Sequence, residues 1–316
     1  MTPTQLRAYV AIVRNGASKM AAAELGVSEA AVSGHVASLR KELDDVLFER
    51  SSSGLRFTPG GLRLATRAVE LLGLQDQTRT EVRAAAEGRR VLRLAVTSLF
   101  GEYAAAGLIE RFSERARDLE VEMSVHPPSQ LGALLLSRAA DVAIGPAIAP
   151  VPDGVRKRDF LRYELLVVTG ANHPLAGRAV HARELASTSW FLGPSALDES
   201  GMTARLIERF GVPERNQRIF QSHAAAIIDA QGRGVAVAPA QYVADDLTEG
   251  RLVRVDTPGA QASATWSTFT LPPTQSPAAA EFVRFASTPK AIQAMLRGDG
   301  ANVSQFRPSV HVTLWS

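Results

Sequence analysis

The side chains that most often carry out chemistry in proteins are scattered through this sequence. Its six histidines are His35, His126, His173, His181, His223 and His311. No two of them have the four-residue spacing of a metal-binding helix. The chain has no cysteine, which excludes disulfides, thiolate metal sites and a cysteine nucleophile. No GxSxG, GxxxxGKS or HExxH segment occurs, so the sequence identifies no catalytic residue, no metal site and no cofactor.

The first sixty residues contain hydroxyl, basic and acidic side chains of the types that contact nucleic acid. The candidates for contact with DNA are Ser18, Ser28, Glu29, Ala31, Ser33, His35, Arg50 and Arg56. Hydroxyl and guanidinium groups bind phosphates. Glu29 could accept a hydrogen bond from cytosine N4, and His35 could donate one to guanine. For each of these positions the alternative is a solvated surface side chain.

The elements that would position these residues begin with a helix-turn-helix pattern. Ala22, Gly26 and Val32 supply a small residue, a turn residue that tolerates a left-handed backbone and a branched apolar residue. Two crossing helices need these three types in this order. Ser18 and Ser28 are expected to cap the second and third helices. An accidental helical hairpin in an all-helical domain is the alternative.

Two further elements are predicted after the third helix. The apolar run 43–48 and the segment 49–58 favour a small hairpin, a wing, whose turn is flanked by Arg50 and Arg56. From that place the two arginines could reach phosphates or a minor groove. Thr58 and Pro59 then favour the start of a long helix that ends near Glu87. Such a helix beside a DNA-binding unit is typically a dimerisation linker.

The remaining two thirds of the chain alternate between strand and helix patterns. Strands are predicted at 91–96, 119–125, 141–145, 160–168, 190–192, 217–221, 235–238 and 264–271. Helices are predicted at 102–117, 131–138, 203–210, 224–231 and 277–296. This order favours parallel sheets covered by helices, arranged as two α/β subdomains with a cleft between them.

Ligands of parallel sheets bind where strands end and helices begin. The side chains predicted to contact a small molecule are therefore Thr97, Ser98, Ser129, Ser222 and His223. Simple capping of the following helices is the alternative for the hydroxyl side chains. Trp190 is expected to lie in the core.

The N-terminal segments closely resemble the LysR-type transcriptional regulators. They are residues 5–10 (QLRAYV), 21–28 (AAAELGVS), 31–33 (AVS), 39–43 (LRKEL), 47–50 (LFER) and 57–61 (FTPGG). Three positions depart from the family pattern: Ala30 replaces the usual Pro, and Gly34 and His35 replace an Arg-Gln pair. Glycine within the recognition helix costs about 1 kcal/mol relative to alanine and removes a side chain that could reach DNA.

The resemblance implies a fold of three parts. An all-α winged helix-turn-helix (1–58) and a linker helix (59–88) precede a periplasmic-binding-protein-like α/β effector domain (89–300). Subdomain I would cover about 89–160 and 268–300, subdomain II about 161–267, and a tail 301–316 would follow. Residues 1–93 carry a net charge of +4, which suits a polyanionic partner.

The expected partners are double-stranded promoter DNA with an inverted repeat, a small-molecule effector and further copies of the chain as a homodimer or homotetramer. The protein is expected to be cytoplasmic, with no signal peptide, membrane span or enzymatic activity. One alternative is a small-molecule-binding protein or enzyme with a non-functional DNA-binding head. Another is a nucleoid-type architectural protein, which would show weak sequence preference.

Overall fold

A computed structural model describes residues 1–51, 54–147, 150–272 and 276–297. The chain divides into two compact units, Met1–Ala86 with Leu136–Ala139, and Glu87–Leu135 with Ala140–Ser316. The predicted tail 301–316 lies outside the described residues, as do Ser52 and Ser53 in the expected turn of the wing.

The first unit contains four helices and a hairpin among its described residues. They are α1 (Pro3–Asn15), α2 (Ser18–Leu25), α3 (Glu29–Leu43), β1 (Phe48–Ser51), β2 (Gly54–Phe57) and α4 (Pro59–Ala86). The hairpin strands pair antiparallel. The predicted winged helix-turn-helix and the long helix after it are therefore confirmed.

The joint between α2 and α3 has the conformation that its sequence requires. Gly26 adopts a left-handed backbone with φ of +66°, and its N–H donates to the carbonyls of the last turn of α2. Ala22 and Val32 are both buried in the core that α1 and α3 share. Because only glycine adopts that backbone without strain, Gly26 sets the crossing of the two helices.

The start of α4 is fixed by hydrogen bonds to the loop before the wing. The hydroxyl of Thr58 donates to the Asp45 carboxylate (2.8 Å) and accepts from the N–H of Gly61 (2.9 Å). The Tyr9 hydroxyl donates to the carbonyl of Gly61 over 2.9 Å. A Cβ on Gly61 would overlap the carbonyl oxygen of Leu47, so this helix can approach the loop only with glycine there.

The buried face of α4 does not include the first leucine of the helix. Leu62 is exposed, whereas Leu64 and Ala68 are buried in the core of the helix-turn-helix. The capping at Thr58 sets the rotation of the first turn, which turns Leu62 outward.

The second unit is an α/β domain that begins after α4. Its strands are β3 (Arg90–Val96), β4 (Leu119–Val125), β5 (Val142–Gly145), β6 (Arg156–Gly170), β7 (Trp190–Leu192), β8 (Gln217–Ile219), β9 (Val235–Pro239), β10 (Leu252–Arg254) and β11 (Gln261–Thr270). Its helices are α5 (Ser98–Tyr103), α6 (Ala105–Ser113), α7 (Pro128–Leu136), α8 (Ala182–Ser187), α9 (Met202–Phe210), α10 (His223–Ala230), α11 (Ala244–Thr248), α12 (Pro277–Ala286) and α13 (Pro289–Arg297).

The strands form one mixed sheet with the order β4-β3-β5-β11-β6-β9-β7-β8, and β10 pairs with β6. The first half (β4, β3, β5) and the second half (β9, β7, β8) are each parallel within themselves. The long antiparallel strands β6 and β11 join the two halves. The predicted α/β fold is thus confirmed, but its parallel strands belong to one mixed sheet, because β6 and β11 pair antiparallel between the two halves.

Two predicted helices are each divided in the structure. The helix expected at 102–117 starts earlier, at Ser98, and is interrupted at Ala104. The helix expected at 277–296 is interrupted because Thr288 accepts a hydrogen bond from the N–H of Ala291 and starts a new helix at Pro289. A threonine followed by proline is a helix start, and this signal outweighed the continuous apolar pattern.

Candidate functional site

The exposed surface of α3 contains most of the predicted DNA contacts. Ser28 caps the helix, because its hydroxyl accepts from the N–H of Ala31 over 3.2 Å. Glu29 and Ser33 are exposed, and His35 is half-buried. The other free backbone N–H groups of the first turn, and the positive end of the helix dipole, therefore lie at the N-terminus of α3, near these residues.

Ser18 is placed differently from the expectation that it caps α2. The capping residue is Ala17, and Ser18 is the first residue of the helix, with 8% of its surface exposed. Its hydroxyl accepts a hydrogen bond from the Arg50 guanidinium over 3.3 Å. Ser18, Ser33 and Arg50 line one depression of about 380 Å³, so the structure brings three of the predicted residues together.

The two arginines of the wing differ in their partners. Arg50 is exposed, and the one hydrogen-bond partner of its guanidinium among the described residues is the hydroxyl of Ser18. Arg56 pairs with Glu49 on the opposite strand, so part of its charge is neutralised. The hairpin is held on α3 by Arg40, whose guanidinium donates to the Phe48 carbonyl over 2.8 Å and lies over the Phe48 ring.

In the second unit, a cleft of about 410 Å³ opens at the carboxyl ends of strands from both halves of the sheet. Its walls come from the ends of β3, β4 and β5, from the middle of β6, and from the segment between β7 and α9. The lining residues are Thr97, Ser98, Leu99, Val125, His126, Pro127, Pro128, Pro146, Tyr163, Leu165, Pro194, Ser195, Leu197, Asp198, Gly201, Met202 and Thr203.

Two of the five residues predicted to contact a small molecule line this cleft directly, Thr97 and Ser98. Thr97 is buried, and its hydroxyl has no hydrogen-bond partner among the described residues. Ser129 is exposed in the first turn of α7 and outside the lining. Ser222 caps α10, because its hydroxyl accepts from the N–H of Ala225 over 3.0 Å.

His223 lies behind the wall of the cleft, with 2% of its surface exposed. Its Nδ1 lies 2.8 Å from a carboxylate oxygen of Glu102, and its Nε2 lies 3.0 Å from the hydroxyl of Ser195. The backbone N–H of Ser195 also donates to Nε2 over 3.4 Å. Because a carboxylate only accepts hydrogen bonds, Nδ1 carries a proton, and because a backbone N–H only donates, Nε2 is the acceptor.

Glu102 connects the two halves of the domain. It lies on α5 and accepts hydrogen bonds from the backbone N–H groups of His223 (2.8 Å) and Ala224 (2.7 Å) at the start of α10. Burial alone would raise the pKa of the Glu102 carboxyl. The hydrogen bonds from His223 and from the two N–H groups outweigh burial and hold that pKa below its usual value. Glu102 is therefore a carboxylate at neutral pH, fixed by three donors.

One wall of the cleft carries negative charge. Asp198 follows β7, and its carboxylate accepts from the hydroxyl of Ser200 over 2.8 Å. Burial, and then the charge of Asp198, raise the pKa of the Tyr163 phenol. Tyr163 stacks on Trp266 with 4.4 Å between ring centroids. The carboxylate is thus close to the aromatic floor of the cleft.

Ser195, Asp198, Thr203 and Glu102 were missed by the sequence analysis. Ser195 and Asp198 follow a strand, β7, that the sequence does predict, and the rule used for Thr97 would have nominated them. The expectation that Trp190 lies in the core is confirmed, because it is fully buried and its indole N–H donates to the Leu185 carbonyl over 2.9 Å. No signal in the sequence links Glu102 to His223.

The part of the chain that the structure describes contains neither a metal-binding cluster nor a membrane-spanning helix. No group of three or more histidine or acidic side chains there could hold a metal ion. None of the helices within those ranges has the length and apolar character needed to span a membrane.

Two family models match the chain. Residues 3–62 match the bacterial regulatory helix-turn-helix protein, lysR family, and residues 85–288 match the LysR substrate binding domain. The sequence is 53% identical over 321 residues to an HTH-type transcriptional regulator of Mycobacterium tuberculosis whose name calls it uncharacterised, and the match covers 100% of both chains. It is 28% identical over 297 residues to the HTH-type transcriptional regulator CbbR of Rhizobium meliloti, covering 90% of this chain and 92% of CbbR.

Solved structures agree on the fold. ArgP from Mycobacterium tuberculosis aligns with a TM-score of 0.59 and 20% identity, covering 90% of this chain and 97% of ArgP. CbnR complexed with its target DNA aligns with a TM-score of 0.54 and 18% identity, covering 90% of this chain and 98% of CbnR. The family models, which cover most of its length, and the relative with 53% identity show that the chain belongs to the LysR family of transcriptional regulators.

Proposed function

We propose that this protein is a cytoplasmic, sequence-specific DNA-binding regulator whose activity responds to a small molecule bound in the cleft of its second unit. The observation that carries the proposal is a helix-turn-helix whose α3, capped by Ser28, is exposed beside Arg50, on the same chain as a domain with a cleft between two halves. Family membership supports both parts.

At the DNA, α3 would lie in a major groove. Glu29, Ala31, Ser33 and His35 would face base edges or phosphates from its first two turns, with Ser28 and Ser18 near the backbone. Arg50 would contact a phosphate, since its charge has no carboxylate partner among the described residues. Arg56 would contribute less, because Glu49 already pairs with it. The proposed boundaries are 1–58 for this domain, 59–88 for the linker and 89–300 for the effector domain.

Assembly would use α4. Its exposed apolar side chains Leu71, Leu74 and Val82 fall on one face of the helix at 3.6 residues per turn. Water-exposed leucine and valine aligned in this way are stabilised by a matching face. The proposed occupant is the same face of a second copy, giving a homodimer or homotetramer that binds an inverted repeat.

The effector would act by changing how the two halves of the domain sit around the cleft. A ligand shifts such an equilibrium only by its difference in affinity for the two states. The proposed consequence is a changed placement of the DNA-binding heads and altered DNA bending at the promoter.

The test is a gel-shift titration on the DNA upstream of the protein's own gene, with excess random DNA as competitor and fixed salt. Changing both Ser33→Ala and Arg50→Ala is expected to weaken specific binding at least about tenfold, because a phosphate contact and a hydroxyl contact are lost. The control, Ser187→Ala with Arg117→Ala, removes the same charge and the same type of hydroxyl from exposed positions of the second unit. Equal binding by the two double variants would contradict the proposed interface.

A second candidate function, acyl transfer, has one observation in its favour. Ser195, His223 and Glu102 are hydrogen-bonded in series, as a nucleophile, a base and an orienting carboxylate would be. Against it, two of the three bonds to Glu102 come from backbone N–H groups at the start of α10, which is a capping role. The relatives found belong to a family of regulators rather than of enzymes.

The measurement that separates the two functions is hydrolysis of a p-nitrophenyl ester by the wild type and by Ser195→Ala. The regulator function predicts equal, background rates for the two proteins. A burst of p-nitrophenol that requires Ser195 would instead establish an acyl-enzyme.

A further inference from the structure

We propose that the molecule bound in this cleft is largely apolar and carries a hydrogen-bond donor, namely an amine. It carries no carboxylate or phosphate. This inference rests on the proposed function of the cleft as the effector site and adds the chemical class of its ligand.

The first support is the apolar character of the walls. The apolar side chains of the lining are Leu99, Val125, Pro127, Pro128, Pro146, Leu165, Pro194, Leu197 and Met202. Val125 and Leu197 remain 41% and 68% exposed, so they offer apolar surface that a ligand would remove from water. Covering such surface yields about 25 cal/mol for each Å². The cleft therefore selects a ligand with a hydrocarbon body.

The second support is the charge of the lining, in which His126, the one histidine among the described residues there, has its Nδ1 3.2 Å from the side-chain oxygen of Gln130. No lysine or arginine occurs among the described residues that line the cleft, whereas Asp198 places a carboxylate there. An acidic ligand would lose its water, gain no counter-charge and face a like charge at short range. A cationic amine would instead pair with Asp198, in a setting less screened by water than the open surface.

The third support is the direction of the hydrogen bonds at Ser195. Its hydroxyl proton is directed to Nε2 of His223, which is an acceptor because it also receives the backbone N–H of Ser195. The hydroxyl of Thr203, 3.1 Å away, must then be the donor to Ser195. The remaining lone pair of Ser195 can only accept. Ser195 and Asp198, on the same wall, can therefore each accept a hydrogen bond from a donor group of the ligand.

The experiment compares three probes of one skeleton on the full-length protein by isothermal titration calorimetry at constant pH and salt. The probes are 4-phenylbutylamine, 4-phenylbutanol and 4-phenylbutyrate. The amine is expected to bind about tenfold more tightly than the carboxylate, with the alcohol between them, since one partly buried charge pair of about 1.4 kcal/mol has that effect. Asp198→Asn is expected to remove the difference between amine and alcohol.

Glu199→Gln is the matched control, because it makes the same charge change at the exposed neighbouring residue, and it should leave the ratios unchanged. Carboxylate binding equal to or tighter than amine binding would overturn the proposal. So would an amine-to-alcohol ratio that Asp198→Asn leaves intact. The gel shift above is run on the same preparation: loss of specific DNA binding contradicts the regulator function, whereas the calorimetric ratios decide the ligand class independently.

Discussion

At the scale of the residue, Glu102 holds three hydrogen-bond donors from one distant segment of the chain. One carboxylate accepts from a histidine ring and from two backbone N–H groups of a helix 121 and 122 residues away along the chain. Only 23% of its side chain is exposed. Removing its charge would leave partly buried donors without an adequate acceptor, which is costly.

We expect Glu102→Gln to destabilise the protein by about 2 kcal/mol at pH 7, since hydrogen bonds to a charged group are worth about 1.5–3 kcal/mol. Because folding lowers the pKa of Glu102, its contribution is present above the unfolded value near 4.5 and is lost as the pH falls through the lower folded value. The difference in melting temperature between wild type and variant should therefore shrink below about pH 4.5.

The control for this measurement is Glu110→Gln, which removes the same charge from an exposed position on α6. It should leave the melting temperature nearly unchanged across the same pH range. A pH-independent difference between wild type and Glu102→Gln would show that the carboxylate charge is not what stabilises the start of α10.

At the scale of the element, two helical glycines make opposite predictions. Gly34 lies in α3 at negative φ with open space where a Cβ would be, whereas a Cβ on Gly61 in α4 would overlap the Leu47 carbonyl. Gly34→Ala should raise the free energy of unfolding by about 0.5–1 kcal/mol through helix propensity. Gly61→Ala should lower it by about 1–3 kcal/mol through steric overlap.

Urea denaturation of both variants checks this contrast, each serving as the control for the other. If the two glycines responded alike, helix propensity alone would explain them and the close approach of α4 to the loop at Leu47 would be refuted. Gly34 is one of the departures from the family pattern. Gly34→Ala changes the stability of the helix there without restoring a side chain that could reach DNA.

The helix-turn-helix was predictable from sequence because its determinants are local. Ala22, Gly26 and Val32 act within eleven residues, and their types decide the backbone directly. The strands were predictable for the same reason, and Thr97 and Ser98 followed from the rule about strand ends. The linkage of Ser195, His223 and Glu102 was not predictable, since it joins positions 28 and 121 residues apart. Such contacts depend on tertiary packing, and no local pattern records them.

At the scale of the whole molecule, the proposed assembly through α4 predicts that charges on its exposed apolar face separate the copies. Leu74→Glu with Val82→Glu should place two charges in the proposed interface and convert the oligomer to a monomer, since buried unpaired charges are strongly destabilising. Size-exclusion chromatography with light scattering measures the mass directly.

Leu62→Glu provides the control, because Leu62 is exposed by 58% but points to the opposite side of the same helix. It should keep the mass of the oligomer. An unchanged mass for the double variant would place the interface elsewhere and remove α4 as the dimerisation element.

The two halves of the effector domain share β6 and β11 as continuous strands. The register between these strands shifts at one point, between Trp266 and Ser267, where Phe160 has no partner on β11. Residues 267–270 also pair with β5, while residues before the shift pair with β6 alone, so the irregularity marks the border between the halves. Movement there must twist a hydrogen-bonded ribbon instead of rotating about a free linker. Because these strands stay hydrogen-bonded across the border, we expect the two states of the domain to differ by a small twist of this ribbon, and the change on ligand binding to be small in amplitude and reversible.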